Sequence, residues 1–243
     1  MNRISRYGIR DTKGPRFAGI QMQIPLTRIQ NLIGERMLKS KLSKPCFYVE
    51  SKADITELMA IRPKLRKSLG VKITTNAFYI HALGLAVQKY PLAVGRFDGD
   101  KIKIAERVNV GFAVNAPQGL VVPVVKDAGE KTLPEIAREE ASLTDKARDN
   151  QLTLEDIEGE TIALSNLGVY GIDSFLGIVP PPASTILAVG NVVHTVVCEN
   201  DKITVRKMVS LSLAVDQRVM NETYAAEFLN FITEELQNPQ WLI

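Results

Sequence analysis

The sequence is poor in the side chains that most enzymes use for chemistry. Its 243 residues include two histidines, His81 and His194, and two cysteines, Cys46 and Cys198. No CxxC or HExxH spacing is present, so neither a structural zinc site nor a metallopeptidase centre is supported. There is no GxxxxGK[ST] and no strand-borne GxGxxG, which removes the phosphate-cradling loops. Two cysteines make no disulfide framework; they read as plain thiols in a reducing compartment, the cytoplasm or, in a eukaryote, the mitochondrial matrix. No apolar run approaches the roughly 20 residues that span a bilayer, and the polar N-terminus carries no secretory core, so no membrane partner is expected. Aromatic residues make up 6% of the chain and do not alternate with basic ones, which argues against a nucleic-acid face. His81 falls inside an expected helix and His194 inside an apolar strand run. Both read as structural rather than catalytic.

What remains is an ordinary globular composition, 45% hydrophobic and 23% charged. The net charge of +3 sits in the N-terminus, where Arg3, Arg6, Arg10, Lys13 and Arg16 face only Asp11. Residues 1–20 therefore read as a basic, flexible arm, and residues 21–243 as one compact domain without repeats or linkers.

Within that domain the periodicity switches irregularly between 3.6 and 2. Thr27 can cap a helix striped by Ile29, Ile33, Met37 and Leu38. Strand Pro45–Asp54 follows, then helix Ile55–Ser68, closed by Gly70. A long helix runs from Thr75 or Asn76 to Tyr90. Val94–Phe97 and Ile102–Ile104 form a hairpin around Gly99-Asp100. Val108–Val114 and Leu120–Val125 read as strands, and Leu133–Asn150 as a charged helix. Thr161–Leu164 leads into Ser165-Asn166-Leu167-Gly168. Separate strands are expected at Thr185–Val189, Val192–Cys198 and Ile203–Val205, with a turn at Asn200-Asp201. This mixture is α+β, a mixed sheet flanked by helices.

One stretch gathers strand, turn and helix. Val209, Leu211, Leu213 and Val215 alternate as a strand. Asp216-Gln217-Arg218 makes a charged turn. Asn221 caps a helix striped by Tyr224, Ala225, Phe228, Leu229 and Ile232. Residues 24–38, 112–127, 161–172 and 209–221, in this order and spacing, resemble the catalytic core of the dihydrolipoamide acyltransferases, the central subunits of 2-oxo acid dehydrogenase complexes. The resemblance implies a chloramphenicol acetyltransferase-like, trimer-forming fold with each active site at a subunit boundary. It implies coenzyme A and dihydrolipoamide as thiol substrates, neither bound covalently. It also implies trimers joined into a cage through hydrophobic C-termini, here Trp241, Leu242 and Ile243.

The family's reaction needs a base for a thiol and a donor for an oxyanion. The resemblance puts the donor at Ser165 and the base at Gln217, where the family's histidine is replaced. Asn221 stands where the family pattern has aspartate, and Glu222 where it has glycine. Asp216 and Arg218 are kept as turn support. A glutamine amide cannot take a thiol proton near neutral pH. Ser165 then reads either as a surviving oxyanion donor or as a structural turn residue. The expectation is a structural trimer- or cage-forming subunit. Its partners would be an active acyltransferase paralogue or a lipoyl-domain protein that delivers acyl groups in trans, since no lipoyl segment precedes the core. An acyltransferase with a non-standard base and an acyl-CoA-binding pseudoenzyme are the alternatives.

Overall fold

The structure is a computed structural model that describes residues 25–26, 28–117, 119–199 and 201–242. The basic arm, the Thr27 cap, Asn200 and Ile243 lie outside the described residues.

In chain order the elements are α1 (Arg28–Ser43), β1 (Cys46–Asp54), α2 (Thr56–Leu69), α3 (Thr75–Lys89), β2 (Gly95–Asp98), β3 (Lys101–Ile104), β4 (Val110–Phe112) and β5 (Val114–Ala116). They continue with β6 (Gly119–Val121), β7 (Val124–Val125), α4 (Leu133–Arg148), α5 (Leu154–Ile157), β8 (Ile162–Asn166), β9 (Thr185–Glu199), β10 (Lys202–Asp216) and α6 (Glu222–Gln237). Six strands form one mixed sheet in the order β1-β10-β9-β8-β4-β7. β8 runs parallel to both β9 and β4, and the other pairings are antiparallel. The α+β expectation is met.

Alternation of side chains across the pleat assigns the two faces. Leu211, Leu213 and Val215 of β10, with Leu187 and Val189 of β9 and Ile162 and Leu164 of β8, join α2, α3, α4 and α6 in the main core. Ala214, Ile186 and Ala163 line the opposite face with Val179 and Ala183 from the loop before β9. Ser165, Ser212, Glu50 and Asp216 share the parity of this second face.

Helix α1 is held differently. Arg36, Ser40 and Lys44, spaced by four, donate to the carbonyls of Pro181, Val179 and Ala183. That polar stripe faces its own chain, while Leu38 and Leu42 on the far side stay exposed.

Four readings are corrected. Val108–Val114 is not one strand: it breaks at Ala113 into β4, in the main sheet, and β5, which pairs with β6 in a separate sheet. Leu120–Val125 is not one strand: Pro123 lacks the ladder N–H, and the run breaks into β6 and β7 in different sheets. The strands expected at 185–189 and 192–198 are the single β9, and those at 203–205 and 209–215 are the single β10. Gly190 resembles a break but is a point of close approach. A Cβ there would lie 1.9 Å from the Asp173 carbonyl oxygen, and one on Gly168 would lie 2.3 Å from that of Gly190. Gly190→Ala is therefore expected to cost about 3 kcal/mol, read as a lower midpoint in urea unfolding, because only backbone can move aside.

Candidate active site

The turn after β10 is built around one buried charge. Asp216 is 1% exposed. Its carboxylate accepts from the Arg218 backbone N–H at 3.1 Å, from Nε at 2.9 Å and from Nη2 at 2.6 Å. Its carbonyl accepts from Val219 and Met220. The pair raises the Arg218 pKa further. The guanidinium also lies 4.4 Å from the centre of the Phe97 ring on β2. Arg218 is thus held by Asp216, and residue 221 is not needed to hold it. Asn221 instead caps α6, its Oδ1 accepting from Tyr224 N at 2.9 Å. Gln217 is exposed, and its Nε2 donates to Glu222 Oε1 at 2.9 Å.

Cys46 is paired with Asp216 across β1 and β10. Burial, and next the nearby Asp216, push its thiol up. Lys44 is lowered by burial. Glu160, 7% exposed, lies 3.8 Å from Arg36 and is pushed up to about 7 by burial, against the pull of Arg36 and Lys44. A Cβ at Gly111 would meet its Oε2 at 2.4 Å, so that glycine leaves the carboxyl its room. A smaller cavity of about 290 Å³ opens beside it, under Arg96 and Lys103.

Ser165 lies at the other end of the sheet face. Asn166 beside it donates to Asn76 Oδ1 at 2.8 Å and accepts from Gly168 N at 2.9 Å, which fixes the turn. Ser165 lines a cavity of about 730 Å³ together with Thr74, Asn76, Asn115, Glu140 and Tyr170. Glu140 is 4% exposed and accepts from Thr74 Oγ1 at 3.0 Å. Its pKa is raised by burial, against the hydrogen bonds and the nearby Lys72 and Arg148.

The structure does not bring Ser165 and the Gln217 turn together. Ser165 is level with Ala188 and, one strand further, with Ser212. Asp216 is two strands across and four residues along, a Cα separation of roughly 16 Å at ordinary strand spacings. Both histidines stand apart: His81 is buried in α3 and lowered by burial, and His194 is exposed on β9. At the C-terminus Leu242 is 1% exposed and part of the main core, whereas Trp241 is 55% exposed. No cluster of metal-ligating side chains occurs among the described residues, and no described helix is long and apolar enough to cross a membrane.

Glu140 and Glu160 were not singled out from sequence. Glu140 did carry a signal. Leu133, Ile136, Ala137, Leu143 and Ala147 of α4 are buried on one stripe, and Glu140 sits in the middle of it. Glu160 has no such pattern around it.

A six-stranded mixed sheet with helices over one face, and a serine turn and a charged turn at separate points of the other, is an acyltransferase architecture. Chloramphenicol acetyltransferase shares the fold at a TM-score of 0.50 and 12% identity, over 83% of this chain and 94% of that one. The chain belongs to the family of 2-oxoacid dehydrogenases acyltransferase (catalytic domain), whose model matches residues 19–243. The acetyltransferase component of the Rickettsia felis pyruvate dehydrogenase complex is 34% identical over 90% of this chain and 54% of its own length. The mouse mitochondrial pyruvate dehydrogenase protein X component is 31% identical over 94% of this chain and 46% of its own. The chain thus spans about half the length of these relatives. The cubic core of a pyruvate dehydrogenase multienzyme complex matches at a TM-score of 0.88 and 30% identity, over 96% of this chain and 99% of that one. The dihydrolipoamide acetyltransferase of Azotobacter vinelandii matches at 0.88 and 29%, with the same coverage. That enzyme has been investigated for the catalytic roles of a serine, a histidine 52 positions later and an asparagine four positions after that.

The raised pKa of Glu160 has a consequence for stability. The folded state holds this proton more tightly than the unfolded chain, so stability falls as pH rises from about 4.5 through about 7. Glu160→Gln removes the buried charge. It is expected to stabilise the protein at pH 8 by about 2 kcal/mol and to change little at pH 4.5, as read from urea unfolding at each pH.

Proposed function

We propose that this chain is a dihydrolipoamide acyltransferase-like core subunit that lacks the family's general base and serves mainly to build the trimeric, cage-forming core of a 2-oxo acid dehydrogenase-type assembly. The observation that carries the reading is Gln217. Ser165, Gln217 and Asn221 repeat the spacing of the serine, histidine and asparagine investigated in the Azotobacter enzyme, with only the middle residue changed. Asparagine at 221 is therefore no departure from that relative. An amide at 217, engaged with Glu222, has no useful proton affinity near neutral pH.

Three features support assembly. The two half-sites lie too far apart to act on one substrate atom within a chain, so a neighbouring copy has to supply the second half. Leu38 and Leu42 of α1 are exposed, as are Val169, Leu176 and Ile178 of the loop after β8. Trp241 is exposed at the C-terminus and is the described tail residue left to dock on another trimer. In such an assembly, acyl groups would come from a lipoyl-domain protein or an active paralogue in trans.

A second reading is favoured by one observation: Ser165 still opens on a large cavity. In that reading coenzyme A and dihydrolipoamide are substrates, and the serine hydroxyl donates to the oxyanion of the tetrahedral intermediate.

Light scattering at micromolar concentration is expected to give a trimer or a multiple of it, and Trp241→Ala to stop assembly at the trimer. A monomer would sink the assembly reading. Gln217→His is expected to raise acetyl transfer from acetyl-CoA to dihydrolipoamide by about 10²–10⁴-fold, the usual worth of a placed base.

A further inference from the structure

Neither reading of the function uses the Glu160 carboxyl or the small cavity beside it. We propose that this cavity binds a short aliphatic monocarboxylate, whose carboxylate shares one proton with Glu160 while its chain lies against the apolar wall.

Placement comes first. Gly111 pairs with Ala163 and so belongs to the second face of the sheet. Its missing side chain lets Glu160 Oε2 lie directly against the strand. There Glu160, 7% exposed, forms part of the cavity wall. Its carboxyl makes no hydrogen bond among the described residues. The cations beside it are already engaged. Arg36 donates to the Pro181 carbonyl and stays 3.8 Å from Oε1, and Lys44 donates to the Ala183 carbonyl. Buried polar groups without partners are rare in folded proteins, and this one borders space for a ligand.

Charge and shape then select that ligand. Arg36 and Lys44 act on Glu160 from α1. Arg96 of β2 and Lys103 of β3 are directly paired, and both line the cavity. β4 and the 179–183 segment bring no charge. The acids are Glu160 itself and Asp98, and Asp98 is taken by Lys103 at 2.5 Å. Four cations thus stand against two acids, and this surplus disfavours an amine and favours an anion. An anion sits beside a carboxyl only when a proton lies between them, so the Glu160 O–H donates to the ligand. Burial, against the pull of Arg36 and Lys44, holds the Glu160 pKa at about 7, which supplies that proton near neutral pH. The Thr161 hydroxyl, also on the wall, is already bonded to the backbone of Arg107 and Asn109. Val94, Ile104, Ala105, Pro182 and Ala183 make most of the remaining wall apolar. The volume of about 290 Å³ is that of roughly ten waters, which suits a chain of about four to six carbons.

This inference is independent of the proposed function: it concerns a different cavity and needs neither assembly nor acyl transfer. The test is calorimetric titration of the full chain with butyrate and hexanoate, with butyramide and butylamine as uncharged and cationic counterparts. Saturable binding of one carboxylate per chain is expected at pH 6.5, and none of either counterpart. Above pH 7 the affinity is expected to fall about tenfold per pH unit, because each bound ligand takes up one proton. Glu160→Gln keeps a donor that does not titrate. It is expected to bind butyrate without that fall, and at pH 8 about tenfold more tightly than wild type. Ala105→Leu narrows the cavity without touching a charge and is expected to abolish binding, with the urea midpoint showing that the fold is kept. No saturable heat with either carboxylate would overturn the proposal. So would equal binding of butyramide, tighter binding of inorganic phosphate, or a pH dependence that Glu160→Gln leaves unchanged.

Discussion

The buried carboxylate of Asp216 is the constraint on which the far end of the sheet depends. An ionised carboxyl at 1% exposure is costly unless its oxygens are filled. Arg218 fills them from two directions, side chain and backbone, and Phe97 holds the guanidinium from behind. With the carboxylate fixed, the Asp216 carbonyl can close the turn and Asn221 falls where α6 needs its cap. The frame that would aim a residue at position 217 is therefore intact whatever that residue is. The amide of Gln217 sits on this frame without disturbing it, its Nε2 turned to Glu222.

Register sets the second constraint. Hydrogen-bonded strands do not slide, because a one-residue slip would turn every core side chain to the other face. The distance between Ser165 and the turn is consequently a fixed property of the sheet, and no side-chain rotation can close it. One chain carries the serine turn at one place of this face and the charged turn at another, and the register keeps them apart.

Much of this was legible in the sequence. The turn, the Asn221 cap, the α3 and α4 helices and the β2–β3 hairpin follow from local rules that tertiary contacts did not overrule. The continuity of β9 was hidden because Gly190-Asn191 has the composition of a turn, while the real demand on Gly190 comes from Asp173, seventeen residues earlier. That Asp216 and Arg218 support the turn was legible; that they do so as a direct pair, two residues apart, was not, because the sequence does not show how the turn folds the guanidinium back onto the carboxylate. Glu140 and Glu160 did not stand out, because burial is a property of what packs above a residue. For Glu140 the apolar stripe around it was a usable warning; for Glu160 the neighbours are Arg36 and, in the wall of the same small cavity, Pro182 and Ala183, which no local pattern connects to it.

The pairing of β1 with β10 has a consequence for how the chain is made. Cys46 finds its partner only in Asp216, 170 residues later. At ordinary synthesis rates that interval is on the order of ten seconds or more. For that time the first strand exists without its neighbour, and the sheet cannot be completed from its beginning. The parallel pair β8–β9 and the long β9–β10 ribbon are joined by shorter connections and can form without β1. The order of appearance in the sequence is thus the reverse of the order in which this edge of the sheet can close: β1 is made well before the strand that pairs with it.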